Sequence, residues 1–199
     1  MQRILIIGAS GLLGREICRQ LPGQVELIEA GLSKAPYQVD ISDAASLSAL
    51  LDNLGRVDGM VCVAGMARFK PWAELDADDW AYTLANKLMG QVNLVRLGTA
   101  HLNDGGAITL TSGLLAQYPI PGSAAVSTVN AAIEAFVRAA ALELGPRVRV
   151  NAVSPGWIAE TLISMGLDPS PGLSAAEVAR VYIGQLNNGA SGSVAVASR

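Results

Sequence analysis

Gly8, Gly11 and Gly14 follow the apolar run Ile4–Ile7 and lead into the amphipathic stretch Leu13–Leu21. Such a run reads as a buried strand, and Leu13, Ile17 and Leu21 fall on one face of a helix. Glycines at the turn let the backbone approach a diphosphate closely. The helix N-terminus offers that anion unpaired N–H groups and the positive end of its dipole. A glycine pattern alone says little, but one set between a strand and a helix near the start of an α/β chain says far more. The candidate phosphate-binding residues are Gly8, Ser10, Gly11, Leu12, Leu13 and Gly14. The plain alternative is a tight turn that binds nothing.

Strand-like and helical patterns alternate along the rest of the chain. Strands are expected over 2–8, Val25–Glu29, Gln38–Ile41, Val57–Val63, Gly106–Thr111, Arg147–Val153 and Ser193–Ala197. The first helix is expected over 12–21. Ser42 can cap a second that runs to Leu54, with Leu47, Leu50, Leu51 and Leu54 on one face. Another starts near Asp76 and continues, with room for a break, to about Leu102. A long helix spans about 123–144, a polar loop follows Pro155-Gly156, and Ser174 can cap a last helix to about Leu186. This alternation predicts a single-domain, doubly wound α/β fold: one parallel sheet of about seven strands with helices on both faces.

Bulk properties fit that picture. The 199 residues are 51% hydrophobic and only 16% charged, as suits a sheet buried on both faces. A formal charge of −3 without a basic run argues against a nucleic-acid surface. The chain opens on a strand, so no signal peptide is expected, and no apolar stretch reaches the ~18 residues of a membrane span. Cys18 and Cys62 read as buried, reduced thiols, consistent with the cytoplasm. His101 lies near a helix end without a partner at metal-ligand spacing, and no metal site is expected.

The motifs, taken in order, resemble the short-chain dehydrogenase/reductase family over nearly the whole chain. Gly8–Gly14 sits at the family's phosphate-binding turn. Val39-Asp40-Ile41 resembles its acidic residue after strand three, and Val63-Ala64-Gly65 its Asn-Ala-Gly segment after strand four. Thr111-Ser112 ends strand five where the catalytic serine is kept. Arg149–Gly156 resembles its segment after strand six. The resemblance implies a Rossmann fold, a nicotinamide cofactor, and cofactor contacts at Asp40, Ile41, Ala64, Gly65, Pro155, Gly156, Ile158 and Thr161.

Three departures stand beside it. Leu12 replaces the middle glycine of the usual turn. Val126 and Asn130 occupy the positions of the family's catalytic tyrosine and lysine. Lys87 stands where the family has asparagine, with Asn86 one residue off and about 100° round the helix. Valine carries no proton and asparagine no charge. Lysine and asparagine thus look exchanged between neighbouring positions. Lys87 is the candidate source of charge and protons, Asn130 fills the vacated site, and Ser112 donates to a carbonyl oxygen. The opposing reading is a decayed site with polar remnants. Tyr118 is a weaker proton source, better read as a surface or interface aromatic. Trp157, Leu162, Ile163 and Met165 would line an apolar pocket.

Cofactor choice is read after strand two, where an acidic residue accepts ribose hydroxyls and basic groups accept a phosphate. The acidic position falls on Gly31, and Ser33 and Lys34 follow, which favours NADP(H) over NAD(H). The expected function is hydride transfer between NADP(H) and a small apolar carbonyl or alcohol. Its alternatives are a non-catalytic NADP(H)-binding or redox-sensing protein and, with less support, a scaffold subunit. The Ala-rich helix at 123–144 suggests a homodimer or homotetramer, with neither nucleic acid nor membrane as partner.

Overall fold

A computed structural model describes residues 1–21, 23 and 25–199. Its elements are β1 (Gln2–Ile7), α1 (Leu12–Gln20), β2 (Val25–Gly31), β3 (Tyr37–Gln38), α2 (Ala44–Leu54), β4 (Val57–Cys62), α3 (Ala77–Thr83), α4 (Gly90–Gly98), β5 (Leu102–Thr111), α5 (Ala124–Leu144), β6 (Arg149–Pro155), α6 (Ala159–Ser164), α7 (Ala175–Asn188) and β7 (Val194–Ala197). The strands form one sheet in the order β3-β2-β1-β4-β5-β6-β7, and every pairing is parallel. The fold is the expected doubly wound α/β architecture. Chain order reverses at β1, which opens a crevice at the carboxyl ends of β1 and β4.

β1 shows how the sequence builds both halves of the core. Leu5 and Ile7 join Leu47, Leu51, Leu94 and Ile133 on the side of α2, α4 and α5. Ile4 and Ile6 face the other way, with Ile17, Val178 and Tyr182 of α1 and α7. The period of two along a strand makes a nearly continuous apolar run necessary when both faces are covered.

Several boundaries differ from the sequence expectations. Asp43, not Ser42, caps α2, with its Oδ1 accepting from Ala45 N at 2.8 Å. Ser42 instead donates to Asp40 Oδ1 at 2.6 Å. β3 is only two residues long, and β5 begins four residues early, at Leu102. Asp76 does cap α3, through a reciprocal box with Asp79. The helix then winds through one wide turn at Leu84–Met89, with i→i+5 character, before α4. Such bulges are frequent at functional sites, and this one carries Asn86 and Lys87.

The segment after Pro155 contains the short helix α6 rather than a plain loop. One helix, Ala124–Arg147, has the length and composition of a membrane span, contrary to the sequence reading. Its stripe Ala125, Val129, Ile133 and Val137 is buried, and 33% of the apolar window lies inside the protein.

Candidate active site

The glycine turn is built by close backbone contact. Gly8 has φ of 94°, and a Cβ there would lie 2.9 Å from Ala64 N. A Cβ on Gly14 would lie 2.7 Å from Ala9 Cα and 2.8 Å from Gly8 C. Only glycine fits either place without moving main chain. Gly11 caps α1 without a side-chain acceptor, so the N–H groups of Leu12 and Leu13 in the first turn are free for an anion. The Leu13 side chain packs into the core, so it is the backbone of this pair that faces a ligand.

This turn opens onto a cleft of about 340 Å³. Gly8, Ser10 and Gly11 line one side; Asp40, Ile41, Ala64 and Gly65 line the other. Asp40 Oδ1 accepts from both the backbone and the hydroxyl of Ser42, which fixes the carboxyl at the rim. Asn86 Oδ1 accepts from Met66 N at 2.7 Å and holds the 64–66 segment over the cleft. Ser33 and Lys34 are exposed on the β2–β3 loop and are not among the lining residues, although Gly31 and Leu32 are. The groove therefore fits a dinucleotide: it has a glycine cradle, free helix N–H groups and a carboxyl at the far end.

A second cavity, of about 410 Å³, lies beyond the wide turn. Gly65 backs onto Lys87: a Cβ on Gly65 would lie 3.3 Å from Lys87 Cα. The walls are apolar, formed by Leu114, Leu115, Tyr118, Ile120, Val126 and Trp157, with Pro155 and Gly156 closing one side. Lys87 and Asn130 both face this space, so the structure brings together the pair that the sequence suggested had changed places. Lys87 Nζ reaches the Ser112 carbonyl oxygen at 3.4 Å. Among the described residues no carboxylate lies within ion-pairing distance of it. Lys87 is half-buried at the cavity wall; its desolvation lowers the pKa to about 8, with the Cys62 thiol acting in the opposite direction. Asn130 is buried, and its Oδ1 has no hydrogen-bond partner among the described residues.

Ser112 lines the cavity and is also tied to α5. Its hydroxyl lies 2.8 Å from Glu134 Oε1 and 3.1 Å from the Asn130 carbonyl oxygen, and it is buried. Its one proton serves Glu134 or Asn130 in this arrangement, so donation to a carbonyl oxygen requires the hydroxyl to turn from them. Strand alternation explains this. Ile108 and Leu110 point into the α5-side core, and Ser112 continues that row. Gly113 is the next residue, and a Cβ there would lie 2.6 Å from Asn130 Nδ2. Position 113 faces the cavity and carries no side chain.

Other groups support the site and escaped the sequence reading. Gln91 is fully buried; its amide accepts from Thr111 N at 2.7 Å and donates to Thr111 O at 2.9 Å, fixing the end of β5. Glu134 also binds Gln117 Nε2 and so anchors the cavity loop. Ile158 and Thr161 lie outside the lining of either cavity. Ile158 pairs with Leu173, and Thr161 sits within α6. Of the four residues expected to line the pocket only Trp157 does so; Leu162 is buried, and Ile163 and Met165 are exposed outside it.

Comparison with known proteins places this geometry. Residues 16–196 match the family model described as Enoyl-(Acyl carrier protein) reductase. The chain belongs to the short-chain dehydrogenase/reductase family. Hydroxynaphthalene reductase arp2 of Aspergillus fumigatus is 30% identical over 140 residues, 67% of this chain and 51% of that protein. Short-chain dehydrogenase/reductase ABA4 of Pyricularia oryzae is 32% identical over 155 residues, 72% of this chain and 58% of that protein. The chain thus spans about half the length of the curated relatives it matches. Among solved structures of similar fold, the protein lin1944 from Listeria innocua is 35% identical with a TM-score of 0.94, covering 98% of this chain and 99% of that one. A small-chain dehydrogenase solved in complex with NADPH is 27% identical with a TM-score of 0.85, covering 98% and 95%.

Proposed function

We propose that the chain is an NADP(H)-dependent oxidoreductase acting on a small apolar carbonyl or alcohol, with Lys87 handling charge and protons. The observation that carries this reading is Lys87 itself. It is a cation with no carboxylate partner among the described residues, set in an apolar cavity that adjoins a dinucleotide-shaped cleft. The NADPH complex of a family relative supports the cofactor assignment. Ser33 and Lys34, on the exposed loop beyond Gly31, favour the phosphorylated form.

Gly8, Gly11, Gly14 and the first-turn N–H groups of Leu12 and Leu13 hold the diphosphate. Asp40 and Ile41 border the adenine end, and Pro155 and Gly156 border the other. When bound, the nicotinamide cofactor supplies the hydride. Lys87 meets the substrate oxygen, stabilises the charge that grows there and gives it a proton. A lysine lowered to about 8 can do this near neutrality, whereas one near its ordinary ~10.4 is a poor acid there. Asn130, at the cavity wall, orients the substrate or a water beside it. Positioned proton transfer contributes ~10²–10⁴-fold, so one well-placed lysine can sustain turnover without the usual tyrosine. Leu114, Ile120 and Trp157 select an apolar body. The name of the reductase relative from Aspergillus fumigatus supports an aromatic substrate class.

A second reading is favoured by Val126 and Asn130 at the positions of the family's tyrosine and lysine: an NADP(H)-binding or redox-sensing protein. NADPH consumption against a panel of apolar ketones and aldehydes separates the two. Oxidation of NADPH that requires the carbonyl supports the enzyme; tight binding without turnover across the panel supports the sensor. A shallow apolar groove between α4 and α5, lined by Val92, Val95, Phe136 and Leu144, supports a homo-oligomer. Sedimentation that shows only monomer at micromolar concentration would remove that part.

A further inference from the structure

Lys87 combines three properties that seldom meet in one side chain. It faces an apolar cavity of about 410 Å³, it has no carboxylate partner among the described residues, and its one hydrogen bond is a long contact of 3.4 Å to Ser112 O. A desolvated lysine of this kind is a nucleophile as well as an acid. We propose that Lys87 is a carbonyl-trapping amine that forms a reversible imine with apolar aldehydes entering this cavity.

The step balances without any redox partner. The neutral Lys87 nitrogen attacks the aldehyde carbon, and a C–N bond forms as the carbonyl π bond moves to oxygen. Proton transfer gives a carbinolamine, water leaves with the former carbonyl oxygen, and a C=N bond remains. Asn130 lines the same cavity and brings a neutral amide to its wall. Leu114, Leu115 and Trp157 shelter the product from bulk water, and no competing nucleophile stands at Gly113 or Val126. A pKa lowered to about 8 raises the neutral fraction at neutral pH by about two orders of magnitude over an ordinary lysine.

The sequence makes this selective. The chain has three lysines, Lys34, Lys70 and Lys87. Lys70 is bound to Asp79 Oδ2 at 2.6 Å, which holds it protonated. Lys34 is an exposed loop residue. The inference goes beyond the reductase reading and requires no cofactor.

The test is reductive trapping of the folded protein with benzaldehyde and cyanoborohydride at neutral pH without cofactor, followed by peptide mapping. Apart from the α-amine of Met1, label is expected at Lys87 about tenfold faster than at Lys34 or Lys70. Lys87→Arg, which keeps the charge and loses the nucleophile, is expected to abolish that label. Equal labelling of Lys34 and Lys87, or an unlabelled Lys87 beside a labelled Lys34, would overturn the proposal. Label at Lys87 in a protein that never oxidises NADPH would leave this inference standing and sink the reductase reading. NADPH oxidation with Lys87 unlabelled would do the reverse.

Discussion

The Ser112 hydroxyl meets Glu134 Oε1 at 2.8 Å, and the pair is buried between the end of β5 and α5. This contact ties the end of β5 to α5, and Glu134 in turn holds Gln117 of the loop above.

Ser112→Ala is expected to act on stability rather than chemistry. It removes one partner from a buried carboxyl group, which costs about 1–3 kcal/mol. Urea unfolding should show the loss, while turnover of the folded fraction and NADPH affinity stay near wild type. A collapse of turnover with unchanged stability would return Ser112 to the substrate.

The Lys87 ammonium has the opposite character, costing stability in exchange for chemistry. Its folded pKa is about 8 against an ordinary 10.5. Between those values the unfolded chain holds a proton that the folded chain has released, so wild-type stability rises with pH across that window. Below pH 8 the full penalty applies. Lys87→Met, similar in size and without charge, should gain about 1–3 kcal/mol at pH 7 and flatten the rise between pH 8 and 10. Unfolding curves at the two ends of the window check both parts.

Gly14→Ala should abolish cofactor binding in a chain that still folds. The new methyl group runs into Ala9 Cα and Gly8 C, and the displaced turn is the one that receives the diphosphate. Calorimetric titration with NADPH reads the loss directly, and unaltered affinity would dissociate the glycine turn from the ligand.

NADPH is expected to bind more tightly than NADH. Gly31 presents no carboxylate to ribose hydroxyls, and Lys34 lies on the adjoining loop. Replacing Lys34 with Ala should narrow the difference. Equal or tighter NADH binding in wild type would reverse the assignment.

What could be read from the sequence followed the range of the forces involved. Ile4–Ile7 with Gly8, Gly11 and Gly14 is a local pattern, and it gave both the first βα unit and the cleft. The positions of Lys87 and Asn130 are legible because each lies beside a recognisable family segment. The Ser112–Glu134 contact lies on the face that alternation from Ile108 and Leu110 assigns to α5, but its partner stands 22 residues away. Gln91, Glu134 and Gly113 matter through contacts across 15 to 20 residues or more, for which a single chain gives no local sign. The short α6 depends on Glu160 accepting from Ala175 N and on Ala159 pairing with Leu173, both remote in sequence.

The central claim is that Lys87 carries the proton chemistry of an NADPH-dependent reduction. The most direct measurement is the pH dependence of turnover at saturating NADPH, for wild type and Lys87→Met, with an apolar carbonyl that wild type reduces. Reduction needs the protonated lysine, so the wild-type rate should hold below pH 8 and fall above it. Lys87→Met should lose about 10²–10⁴-fold at pH 7, keep NADPH affinity and show no break near pH 8. A Lys87→Met enzyme with wild-type rate and the same pH profile would contradict the account.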